Sequence, residues 1–339
     1  MDLAERRARI LAGQHLTCPA SPPAVCRDLN GIQAQFLPAA LHALAVRSDR
    51  PAQPDKLVKS WTIRGTVHLF HPDDLPLFLH QGRDHALRGV DRMEGDEFIT
   101  LERKEYFAQI ILDELAAGPR LREQLRAACA ARGMTGQEEQ SLFNSWGGLL
   151  RHLAETGRIV HTVSREKGFR LCPPFEPMEE EAARLELVRR YFTHYGPATV
   201  RDAAYFFGRP QRKLRPLMDA LPLEHAQVDG RDCFWLDRGE RDWPEAPPCL
   251  FPAAFDQLML GYRKEDGLFL PPEHLRGIFS LSGIVMAPIL LRGQVAGRWR
   301  LRGTGVELTP FGHWTPEDRR MAGQEAQARW NSRVTWVEA

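Results

Sequence analysis

No apolar run in these 339 residues approaches the ~20 needed to cross a bilayer, so no membrane partner is expected. The N-terminus, Met-Asp-Leu-Ala-Glu-Arg-Arg, opens an amphipathic helix and lacks a signal-peptide apolar core. No CxxC pair occurs. Cys18, Cys26, Cys129, Cys172, Cys233 and Cys249 are scattered, which reads as reduced structural thiols in a cytoplasmic protein. HExxH, EF-hand and P-loop patterns are also missing. His68 and His71 stand beside an expected strand, where packing is the ordinary role. Neither a metal nor a cofactor is expected.

Net charge is scarce too. A value of +1 excludes a uniformly basic chain, so local distribution matters more. Residues 209–215 carry Arg209, Arg212, Lys213 and Arg215 with no acid. Residues 288–303 carry Arg292, Arg298, Arg300 and Arg302, again with no acid. Two such clusters point toward nucleic acid. Hydrophobic content of 43% and charge of 26% fit a soluble globular chain. Its length suggests about two to four domains.

One pattern recurs along the chain. Residues 174–243 hold its clearest copy. Leu185, Val188, Tyr191, Phe192 and Tyr195 form one helical stripe that stops at Gly196-Pro197. Thr199 starts a second helix, with Asp202 at capping-box spacing. Gly208 turns the chain into a basic third helix, which Pro216 should kink or shorten. Asp229-Gly230 then marks a hairpin. Three helices and a hairpin make a winged helix, whose third helix is the one expected in a DNA groove.

Residues 104–173 repeat the pattern. A helix ends at Gly118-Pro119, and a second carries Leu121 and Leu125. A longer third carries Leu142, Trp146, Leu149 and Leu153, and Ile159–Leu171 forms a wing turning near Gly168. Residues 1–71 give a looser copy, with helices near 3–13, 22–30 and 37–48 and strands over 57–70. Residues 72–103 read as a polar, partly helical connector. Residues 244–339 read as a small α+β domain. Its hairpin, over 286–291 and 295–301, has Arg292-Gly293 at the tip, and Thr315-Pro316-Glu317-Asp318 starts its last helix. The fold class is α+β: three tandem winged helices and a small C-terminal β-rich domain.

Gln33 and Gln35 carry the sharpest chemical signal. They sit between a helix stopped by Gly31 and another whose first turn holds Pro38. Such a link is extended or turn-like. There, side chains two apart point the same way. Two carboxamides then converge on one small target, such as a water.

Four ordered segments together resemble a known family. They are Gly31-Ile32-Gln33-Ala34-Gln35, Trp61-Thr62-Ile63-Arg64-Gly65-Thr66-Val67-His68-Leu69, Phe255-Asp256-Gln257-Leu258-Met259-Leu260-Gly261-Tyr262 and Val295-Ala296-Gly297-Arg298-Trp299-Arg300. They look like the winged-helix superfamily that includes the AlkZ and YcaQ DNA glycosylases. The resemblance implies a C-shaped basic channel for double-stranded DNA. It implies the branch with two catalytic glutamines, which excises N-alkylated purines, including bulky adducts and interstrand crosslinks. Gln33 and Gln35 are then the catalytic candidates, acting through a positioned water, as a monofunctional hydrolase without cofactor. Arg64, His68 and Asp256 are candidates for the pocket. Asp256 either faces the sugar cation or N-caps a short helix. Arg209, Arg212, Lys213, Arg215, Arg292, Arg298, Arg300 and Arg302 are candidates for DNA contact, with Arg292 suited to a minor groove. Trp61 and Trp299 read as packing residues. A monomer located with the nucleoid suffices for this reading. The alternative is a winged-helix DNA-binding or regulatory protein without chemistry.

Overall fold

The structure, a computed structural model, describes residues 1–79, 99–240 and 242–337. It is a mixed α and β fold that separates into two compact units. One joins Met1–Ala52 to Leu187–Ala339, and the other is Gln53–Glu186.

The first unit opens with three helices, α1 (Leu3–Gly13), α2 (Pro22–Asp28) and α3 (Leu37–Ala45). Asp2 and Ser21 cap the first two by accepting from Glu5 N and Ala24 N. Asn30 and Gly31, at φ 56° and 81°, stop α2 in the left-handed region, and Gly31 N bonds back to Cys26 O at 2.7 Å. That is the stop expected of glycine. A two-residue strand, β1 (Ile32–Gln33), follows, and Pro38 enters the first turn of α3. The third helix ends earlier than expected, at Ala45. There the Arg47 guanidinium takes the Ala43 carbonyl at 3.1 Å and the Gln14 carbonyl at 3.0 Å.

The chain returns to this unit through the Glu180–His194 helix. The Val200–Phe207 helix follows, with the Thr199–Asp202 capping box in place, and Gly208 caps it at φ 61°. The Gln211–Asp219 helix runs through Pro216, burying Leu214 and Met218. A hairpin pairs Glu224–Val228 with Arg231–Trp235. Tyr191, Phe192, Tyr195 and Phe206 are fully buried together. Each such ring contributes about 1.5–3 kcal/mol by leaving water.

A five-stranded sheet completes the unit. Cys249–Leu250, Ala287–Leu291, Gln294–Arg302 and Gly305–Pro310 are antiparallel neighbours, and Arg333–Trp336 joins in parallel. Arg292 and Gly293 form the tight turn at φ 48° and 79°. The Pro316–Trp330 helix, boxed by Thr315 and Asp318, packs Ala322 and Ala326 against Phe251, Ile289 and Leu308.

In the second unit, the strands lie in the order Val67–Phe70, Val58–Trp61, Ile159–His161, Gly168–Leu171, Arg120–Leu121. Helices Leu101–Ala116, Arg122–Ala131, Gly136–Leu142 and Gly148–Glu155 cover it. The long helix expected through Trp146 is two helices. Gly147 and Gly148 break it at φ 115° and 54°, and a Cβ on Gly148 would lie 2.3 Å from the Leu142 carbonyl. Trp146 consequently stands 82% exposed rather than in the core. The wing turns ahead of Gly168, which is itself a strand residue. The expected connector, 72–103, is described only at its ends, and residues 80–98 lie outside the described residues. All six cysteines are free. Burial pushes Cys129 and Cys249 up to about 12, which keeps those thiols protonated and inert.

Candidate active site

The glutamine segment is shaped by what lies under it. Ile32 and Ala34 are buried, at 1% and 0% exposure, and form the inward face of the extended segment. Gln33 and Gln35 share the other face, as alternation along a strand requires. Gln33 Nε2 donates to Gln35 Oε1 at 3.0 Å. Swapping the O and N of both amides preserves the contact with the donor and acceptor exchanged. Gln33 is buried and Gln35 is open to solvent. The next residue, Phe36, is 52% exposed and stacks on Phe255 at 5.3 Å.

Three straps fix this turn. Gln257 Nε2 donates to the Gly31 carbonyl, Tyr195 Oη to the Leu29 carbonyl at 2.9 Å, and Asn30 Nδ2 to the Leu187 carbonyl at 3.0 Å. Beneath them, Asp256 meets Arg47 in a bidentate pair at 2.6 and 2.9 Å. Both side chains are fully buried. Asp256 also accepts from Leu258 N at 2.9 Å and Ala253 N at 3.1 Å, which makes it the N-cap of the Gln257–Leu260 helix. All its acceptor capacity is spent on scaffold, and it faces no solvent. Tyr262 Oη donates to the Tyr195 carbonyl at 2.8 Å and accepts from Gln14 at 3.1 Å. The 255–262 segment therefore braces the turn that carries the glutamines.

Arg64 and His68 belong to the Gln53–Glu186 unit. Arg64 sits at φ 58° in the Ile63–Gly65 turn. His68 is fully buried, with Nδ1 2.9 Å from Thr62 Oγ1 and 3.1 Å from the Thr66 carbonyl. Burial first, then the Arg64 charge, pushes its pKa down to about 3, so the ring is neutral. Trp61 packs on His161 at 4.4 Å, and Trp299 packs on Trp330 at 4.5 Å while donating to the Pro252 carbonyl. Both are packing residues.

The two basic clusters differ. Arg212, Lys213 and Arg215 are exposed, and none has an ion-pair partner among the described residues. Arg209, just ahead of that helix, is half-buried. The hairpin cations are all engaged. Arg292 pairs with Asp318 at 2.7 Å, and Arg298 donates to the Gly277 carbonyl at 3.3 Å. Arg300 and Arg302 share Glu307, and Arg300's hydrogen bond, then Arg302's, holds that carboxyl below its usual range.

One polar cluster escaped the sequence reading. His15, Asp28 and His194 bring three potential metal-ligating atoms within 4.8 Å of one another. His15 Nε2 lies 2.8 Å from Asp28, and its Nδ1 bonds the Cys18 carbonyl at 3.1 Å. Burial pushes His194 down to about 4, with the charges of His15 and Arg238 acting in the same direction. The group ties the ends of α1 and α2 to the Glu180–His194 helix.

A sequence model described as DNA glycosylase AlkZ-like matches residues 26–329. The chain belongs to the AlkZ-like DNA glycosylase family. It is 25% identical over 320 residues to the "Interstrand DNA cross-link repair glycosylase" of Streptomyces sahachiroi, covering 87% of this chain and 86% of that one. The solved structure of Streptomyces sahachiroi DNA glycosylase AlkZ matches it with TM-score 0.76 across 100% of both chains, at 21% identity. This AlkZ-like chain therefore shares that α+β fold. No helix among its described residues is long and apolar enough to cross a membrane.

Proposed function

We propose that this AlkZ-like chain hydrolyses the N-glycosidic bond of N7- or N3-alkylated purines in duplex DNA, acting as a monomer built on three winged helices. The observation that carries this is the Gln33–Gln35 contact, two neutral amides meeting on one face of a braced turn with Gln35 open to solvent. An amide cannot act as a strong general base, but it accepts and donates hydrogen bonds. That suffices when the leaving group is already activated. An alkylated purine is cationic, and the C1′–N bond breaks with its electron pair going to the purine nitrogen. Positive charge develops on the sugar, as in glycoside hydrolysis. A water held by Gln33 and Gln35 adds its oxygen to C1′ and loses a proton to bulk solvent. Neither glutamine supplies an amine, so the mechanism forms no Schiff base and is monofunctional. Placing the water supplies most of the rate, and fixed geometry is worth up to ~7–11 kcal/mol. The relative's name suggests that interstrand crosslinks are also substrates.

The test incubates the protein with duplex DNA containing N7-methylguanine and scores alkali-sensitive abasic sites. The wild type should release the base, and the Gln33→Ala, Gln35→Ala double variant should not. Equal release by both would rule out the amide mechanism. Tight duplex binding without release by either would favour a non-catalytic DNA-binding protein.

A further inference from the structure

Leu281 is 88% exposed. Single exposed leucines are ordinary on protein surfaces. This one tops a turn braced to hold it there. Phe279 and Val285 close the turn as an antiparallel bridge, and Ser280 N donates to the Ile284 carbonyl at 2.9 Å. Ile284 N donates back to Ser280 Oγ at 2.9 Å, and Gly283 completes the reversal at φ 81°. The turn is anchored beside the glutamines. Phe255 N bonds the Val285 carbonyl at 3.2 Å, and the Phe255 ring stacks on Phe36, the residue after Gln35. Leu281 lies four residues from Val285, at most about 14 Å of chain. Ile284 and Met286 are also partly exposed, at 36% and 37%. Residues 274–306 contain no acid, so a phosphate backbone meets no like charge from this stretch.

We infer that Leu281 is a wedge. It enters the base stack of duplex DNA and fills the gap left when the damaged nucleotide is turned out toward Gln33 and Gln35, while Phe36 offers a face for a neighbouring base. This rests on the glycosylase reading above and adds how the duplex is opened. Extruding a base costs a few kcal/mol, and apolar wedges in other DNA-binding proteins offset such unstacking. Leu281 acts as a positioning residue, since it touches no reacting atom.

The test compares wild type with Leu281→Ala and Leu281→Met in single turnovers. One duplex pairs N7-methylguanine with cytosine. The other places it opposite an abasic analogue, where extrusion is cheap. Leu281→Ala should slow the paired duplex by about tenfold, slow the other less than about twofold, and leave the melting temperature unchanged, while Leu281→Met retains most of the rate. Equal slowing on both duplexes, or none, would overturn the wedge, as would a change of oligomeric state with activity intact. A 2-aminopurine beside the lesion separates the two proposals. Its fluorescence should rise on binding wild type and not Leu281→Ala. A rise without base release would sink the chemistry and keep the wedge, and no rise with wild type would sink the wedge.

Discussion

Gln33–Gln35 and Arg47–Asp256 belong to one compact unit and are built on opposite terms. The ion pair is fully buried, and both carboxylate oxygens are saturated by four donors. The amide pair carries no charge and keeps one member open to solvent. The ion pair is sealed into the scaffold, whereas the amide pair reaches solvent through Gln35. In the other unit, Glu155 shows what happens to a buried carboxylate with fewer donors. Arg151 reaches one oxygen at 2.9 Å, while the other has no hydrogen-bond partner among the described residues. Burial, only partly opposed by Arg151, pushes its pKa up to about 7. At Glu155 a single arginine contact does not offset the cost of burying the charge.

The severest way to break the contrast is Asp256→Ala. It strands a buried guanidinium, which should cost roughly 3–5 kcal/mol of stability, read as a large drop in urea midpoint. A midpoint close to wild type would mean the pair is not structural. Gln35→Ala should behave inversely. Excision should slow by roughly 10- to 1,000-fold with an unchanged midpoint, by analogy with the loss of an oriented hydrogen-bond partner. If the rate held, the amide would have no part in the chemistry.

Glu155 sharpens the comparison through pH. Its folded pKa of about 7 lies above the ordinary carboxylate value, so the folded state holds the proton more tightly. Its contribution should be fully present below about pH 4.5 and fade as pH rises through 7, by no more than ~3 kcal/mol. Melting curves from pH 5 to 8 should show Glu155→Gln gaining on wild type as pH rises, and parallel curves would count against the shifted proton. The smallest effect concerns the basic clusters. Lys213→Ala should lower the salt slope of duplex binding by ~1, whereas Arg300→Ala, whose charge is already answered by Glu307, should lower it by less. Equal slopes would erase that distinction.

Much of this was legible from local chemistry. The Gly31 stop, the Pro38 start, the Thr199–Asp202 and Thr315–Asp318 caps and the Arg292-Gly293 turn all depend on neighbours within a few residues. So does the shared face of Gln33 and Gln35. What escaped depends on distant partners or on two residues acting together. No sequence pattern marks Arg47 as the buried partner of Asp256. Arg292, Arg300 and Arg302 looked free because their acids, Asp318 and Glu307, lie outside the acid-free stretch. The Gly147-Gly148 break was hidden by an uninterrupted apolar spacing on either side.

The bond from Gln257 to the Gly31 carbonyl links residues 226 apart. At the ribosome, about 5–20 residues emerge each second, so the N-terminal turn waits roughly 10–45 s for its last strap. A nascent chain interrupted between residues 195 and 257 would hold the glutamine turn by only two of its three straps, those of Tyr195 and Asn30, so the segment is completed late in synthesis by a residue encoded far downstream.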